Sequence, residues 1–166
     1  MNSMIIITVM IVLFFSILPI VLINRGKKKN EKSFLQSLFN LAEKNNCNLS
    51  EHDAFNDIAI GIDKETHQLF FIRNTHQHEA EIKVDLTEVK KCRLLDTSRP
   101  VPGSDGNQRI IDKLELSLVY HSQNQKEIIL DIYHADYDSL TMSGELQLAK
   151  KWSEKINEEL AALNKA

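Results

Sequence analysis

The sequence is poor in the residues that staple or break structure. It holds two cysteines, three prolines, five glycines and one tryptophan in 166 residues. Cys47 and Cys92 form no CxxC pair and no zinc-site spacing, which leaves no disulfide framework and no cysteine-based metal fold. A bridge between the two stays open, but a reducing compartment would not keep one. GxSxG, HExxH and phosphate-loop motifs are all missing. Gly61 and Gly144 are isolated and make poor phosphate cradles. The aspartates of "DIYHADYDS" lack the spacing of a calcium loop and read as the connection into the last helix. No catalytic residue, metal ligand or cofactor follows.

Charge is missing from one long stretch. Residues 4–23 carry none, and their only polar side chains are Thr8 and Ser16. A helix of that length is about 30 Å long, the thickness of a bilayer's hydrocarbon core. It has no polar face, as a soluble core helix would. Pro19 is its one helix breaker, and membrane helices tolerate proline. A cleaved export signal fits less well, because "MNS" has no basic residue and the exit "LINRG" has no small-x-small site. Residues 1–24 are therefore expected to be a transmembrane helix, with the lipid bilayer as partner of residues 4–23.

Basic side chains are absent before this span and crowded after it. Arg25, Lys27, Lys28, Lys29 and Lys32 form a juxtamembrane stem over residues 25–32. Lysine and arginine collect on the cytoplasmic side, so the expected topology is single-pass in the plasma (inner) membrane, with the N-terminus outside and the rest cytoplasmic. The cluster's main task is to set that topology, and contact with anionic headgroups is compatible with it. Beyond the stem the balance reverses. Residues 33–166 carry 22 Asp and Glu against 15 Lys and Arg. A phosphate backbone demands a basic face, so nucleic acid is not an expected partner.

The spacing of Phe34, Leu35, Leu38, Phe39, Leu41 and Ala42 predicts an amphipathic helix within a 33–50 linker. Ser33 and Gln36 suit a capping box there. Packing on its own domain ranks ahead of lying on the membrane or pairing with another copy. From residue 56 the period becomes two. Ile58, Ile60 and Ile62 and then "LFFIR" form a hairpin around "DKETHQ". Ile82, Val84 and Leu86 begin a further strand whose later residues shift register, which suggests a bulge or bend. "SRPVPGSDGNQR" holds two prolines and two glycines and reads as a loop. Leu114, Leu116, Leu118 and Tyr120, then Ile128, Leu130 and Ile132, give two more strands. A closing helix follows, with Ser143 as N-cap, Glu145 in its first turn, and an apolar stripe of Leu146, Ala149, Trp152, Ile156, Leu160 and Leu163. Trp152 is read as a core residue.

The hairpin "IAIGIDKETHQLFFI", the strand "VDLTEVKKCRLL", two more alternating strands and the terminal "AKKWSEKINEEL" resemble a bacterial pleckstrin-homology-like (PH-like) domain. The likeness covers residues 54–163, and the domain is set at 54–166. It implies an α+β fold, an antiparallel β-sandwich or barrel of two near-perpendicular sheets capped by a C-terminal α-helix. The family has seven strands. Six at most are counted here, and the seventh is sought in the bend over residues 84–97. Some relatives bind phosphoinositides through basic residues on the first strands. The matching region here offers Lys64 and Arg73, with Phe71 where a cation is wanted. Phosphoinositide binding is therefore not expected, and a protein partner is. The function expected is a cytoplasmic interaction or scaffold domain without catalytic activity. The alternatives are an enzyme or metal-binding domain built on loop histidines (His76 and His78 beside Glu79, with His52, His67, His121 and His134 elsewhere) or an exported envelope domain.

Overall fold

The computed structural model describes residues 31–75, 79–103, 106–122, 126–138 and 142–165. The apolar span and the stem residues before 31 lie outside them. Among the described residues no helix is long and apolar enough to cross a membrane.

Residues 31–44 are helical (α1). Seven strands follow: β1 Glu51–Phe55, β2 Ile58–Asp63, β3 Gln68–Asn74, β4 Glu79–Asp85, β5 Val89–Gly103, β6 Gly106–Tyr120 and β7 Ile128–His134. The chain ends in α2, Glu145–Leu163. The fold is α+β, with an antiparallel sheet in the order β1-β2-β3-β4 and a second in the order β5-β6-β7.

Two strands go beyond those named from the sequence: β5, which begins at Val89 inside the 84–97 bend where a further strand was sought, and β1, Glu51–Phe55, which begins ahead of the expected domain start at residue 54. The bend itself is present. β4 ends at Asp85, whose Oδ1 accepts from the Thr87 N–H at 2.9 Å and caps a single 3-10 turn, Leu86–Glu88. β5 then leaves in a new direction in the second sheet. "SRPVPGSDGNQR" is a second correction. Its described residues continue β5 and β6 as a ribbon in which Pro100 faces Arg109 and Pro102 faces Asn107. Proline is tolerated in a strand whose outer edge is free.

β2 shows how both sides of the first sheet are buried. Ile58, Ile60 and Ile62 enter the main core with Leu69 and Phe71 of β3, Leu114, Leu116 and Leu118 of β6, and Leu130 and Ile132 of β7. The residues between them face the other way. Ala59, with Phe70 and Ile72, packs beneath Leu38 and Ala42 of α1. A Cβ on Gly61 would stand 3.1 Å from Leu38 Cδ2 and 3.0 Å from Leu49 Cδ1, so the small residue is what lets this layer close. α1 thus covers the outer face of the four-stranded sheet. Ser33 lies inside that helix, so the capping box expected at Ser33 and Gln36 is not formed; Gln36 donates instead to Asn40 at 3.2 Å.

α2 closes the main core with Leu148, Ala149, Trp152, Ile156 and Leu160. Trp152 is 0% exposed, as its place in the stripe predicts. The N-cap of α2 is Gly144 and not Ser143. The carboxylate of Glu145 folds back instead, accepting from the N–H groups of Ser143 (2.6 Å) and Gly144 (2.9 Å). That satisfies two backbone donors just ahead of the helix.

Candidate functional site

The basic flank splits between described and undescribed residues. Arg25, Lys27, Lys28 and Lys29 lie outside the described residues, and Lys32 is exposed on α1. The two cations that matched a phosphate-binding pattern, Lys64 and Arg73, are not brought together to face a ligand.

Arg73 follows Leu69 and Phe71 at steps of two on β3, so its side chain enters the protein and is 0% exposed. A buried guanidinium needs partners. β7 and the turn after it supply them. Nη1 donates to the Asp131 carbonyl at 2.7 Å and lies 3.0 Å from Asp131 Oδ1, while Nη2 pairs with Asp138 Oδ2. The same Asp138 oxygen accepts from the His134 N–H at 2.6 Å, and the Tyr137 hydroxyl donates to Asp131. The Tyr137 ring lies 5.2 Å from the guanidinium and stacks on His134 at 4.6 Å. Burial alone would lower the Arg73 pKa, but the Asp138 bond and the charges of Asp131, Asp138 and Asp57 hold it above the usual value. Burial, then the bond and charge of Asp131, push the Tyr137 phenol upward. The cluster ties the 134–138 turn to β3. A guanidinium so enclosed cannot reach a lipid phosphate.

Lys64 stands in the turn between β2 and β3, 49% exposed, and pairs with Glu51 Oε1 at 2.5 Å. The other oxygen of Glu51 holds Lys155 of α2. Together with Ile62, Glu158 and Glu159 these residues line a cleft of about 210 Å³. Both cations of the cleft are thus neutralised within it.

The described histidines do not converge. His76 and His78, and the side chain of Glu79, lie outside the described residues. His67 meets Glu159 through Nδ1 at 2.8 Å, and His52 lies edge-on to Phe39 with ring centres 4.8 Å apart. Among the described residues no group of three His, Cys, Asp or Glu side chains is placed to hold a metal ion. Cys47 and Cys92 are free and buried, one under α1 and the other in the main core. Burial pushes the Cys92 thiol up to about 11 against a Ser153 hydrogen bond, which keeps it from acting as a thiolate near neutral pH.

The sequence reading missed the acids around Arg73. The signal for them was present: an arginine in phase with Leu69 and Phe71 must meet buried carboxylates, and "DIYHADYDS" is the stretch that carries them. No family model, curated protein or solved structure matches the chain.

Proposed function

We propose that the chain is a single-pass protein of the plasma (inner) membrane, anchored through residues 4–23, whose cytoplasmic PH-like domain is an interaction or scaffold module without catalytic activity. The docking of α1 on the four-stranded sheet carries this reading. The helix begins by residue 31 and its Leu38 and Ala42 are locked against Ala59, Phe70 and Ile72. Residues 24–30 are then all that separates the apolar span from a folded body. Fully extended, such a stem reaches about 25 Å. A domain on so short a tether works at the membrane surface, on partners already there.

The order of four strands, three strands and a closing helix supports the PH-like assignment. The enclosure of Arg73 and the pairing of Lys64 with Glu51 speak for a protein partner and against a phosphoinositide. The anchor is tested by Ile11→Lys together with Leu13→Lys, since a charge at a span centre costs about 2.5–3.5 kcal/mol on insertion scales. The double variant is expected in the soluble fraction after carbonate extraction, with the wild type in the pellet. A variant that still pellets would remove the span as the anchor.

A further inference from the structure

β5 and β6 remain paired out to Gly103 and Gly106, well past the end of the third strand. β7 stops at the Lys113–His134 pair, with one more bond from the Ala135 N–H to the Asp112 carbonyl at 2.8 Å. Beyond that point, among the described residues, neither outer edge of the two-stranded ribbon is paired with another strand, and these edges differ in chemistry. Pro100 and Pro102 have no N–H, so their pairs with Arg109 and Asn107 are of the kind without hydrogen bonds, and the proline nitrogens face outward. The outer edge of β5 therefore lacks two successive donors and is closed to another strand. Across those same pairs Arg109 and Asn107 also turn their N–H and C=O groups outward, along β6. That edge keeps its donors. Ile110, between Arg109 and Ile111, is 41% exposed.

We propose that this edge of β6 pairs antiparallel with the same edge of a second copy, about a two-fold axis at Gln108. The register selects the occupant. An axis at Arg109 would set two guanidinium-bearing residues opposite each other, an unfavourable cross-strand pair. An axis at Gln108 sets Asn107 opposite Arg109 of the other copy and Ile110 opposite Gly106, a residue with no side chain to crowd it. The stretch from Gly106 to Ile110 is thus complementary to itself, as an isologous contact requires. Within its own ribbon Arg109 pairs with Asp96 at 2.5 Å and donates to the Ser98 hydroxyl, so its side chain requires no partner from the second copy. So short a pairing is weak between free molecules. It rests on the anchor reading for its local concentration, because copies confined to one membrane meet in one orientation.

The test uses the full chain in lipid vesicles. Gln108→Cys places two thiols across a pair without hydrogen bonds, where Cα atoms are about 4.5 Å apart and a disulfide can close. The native thiols are buried and do not compete. Mild oxidation is expected to give a reducible dimer with Gln108→Cys and none with Lys150→Cys, exposed on α2. Adding Arg109→Pro removes one outward N–H, and the dimer band is expected to be lost; adding Arg109→Ala is expected to keep it. An unchanged Trp152 fluorescence melt checks that Arg109→Pro folds, and Ile110→Lys, which leaves the backbone alone, is expected to weaken the band independently. No dimer with Gln108→Cys, an equal dimer with Lys150→Cys, or a dimer that survives both Arg109→Pro and Ile110→Lys overturns the proposal. A carbonate wash of the same vesicles separately decides the anchor: a chain that resists the wash and yet fails to cross-link sinks the dimer alone.

Discussion

Asn157 of α2 binds both backbone polar groups of Cys92 on β5. Its Oδ1 accepts from the Cys92 N–H at 3.0 Å and its Nδ2 donates to the Cys92 carbonyl at 2.9 Å. A side-chain amide here stands where the peptide group of a neighbouring strand would stand. It closes the β5 edge beside the helix, as the prolines close it further along. Asn157→Ala leaves the donor and acceptor of Cys92 without partners, and is expected to cost about 1–3 kcal/mol. Thermal or urea denaturation reads this, and an unchanged midpoint would mean that water replaces the amide at no cost.

On the other flank of α2, Trp152 Nε1 donates to Asp53 Oδ2 on β1 at 2.9 Å. The indole is both core filling and a clasp. Trp152→Ala is expected to cost about 3–5 kcal/mol. Trp152→Phe keeps most of the apolar bulk and loses only the indole N–H bond, since Lys151 still pairs with Asp53 Oδ2 at 2.7 Å, so a smaller loss is expected. Equal midpoints for wild type and the alanine variant would contradict the burial.

Arg73→Met tests the buried ionic cluster. Removing the guanidinium leaves Asp131 and Asp138 facing each other without their cation, at an expected cost of about 3–5 kcal/mol. A variant as stable as wild type would show that the two acids escape to solvent. Vesicle flotation with and without phosphoinositide is expected to give the same bound fraction for wild type and variant.

These elements show what the sequence displays and what it hides. Period-two alternation made β2, β3, β6 and β7 legible because a large apolar residue enters the core at every second position. β1, "EHDAF", has no such signal: its Asp53 is held by Trp152 and Lys151 from α2, a partnership visible only after folding. The ribbon was hidden for the opposite reason. Pro100 and Pro102 are strong loop signals, yet both sit at edge positions that need no donor. Of the candidate site, Arg73 was noticed only as a cation in a phosphate-binding pattern, although its phase with Phe71 placed it inside. α1 was legible as amphipathic, while the side it packs on depended on Ala59 and Gly61, small residues with little pattern of their own.

Asp57, in the turn between β1 and β2, gives a pH-dependent prediction. Burial raises its pKa, and the charges of Asp138 and Glu145 add to this against an N–H bond and Arg73. A carboxyl raised in the fold stabilises while it is protonated, and loses that contribution as pH rises through its folded pKa. Asp57→Asn, always neutral, is therefore expected to melt higher than wild type at pH 7. The gap should close as pH falls through the ordinary carboxylate range, where Asp57 is protonated folded or unfolded. A variant that melts lower than wild type at pH 7 would reverse the sign.

The central claim is that a short stem holds this domain on the cytoplasmic face of a membrane, and its most direct test is the side on which the C-terminus lies. Arg25, Lys27, Lys28 and Lys29 follow the apolar span with no basic residue before it. Two reporters fused after Ala166, one active only in the cytoplasm and one only outside, read the topology. The account predicts activity from the first and silence from the second. Activity from the exterior reporter alone would contradict it.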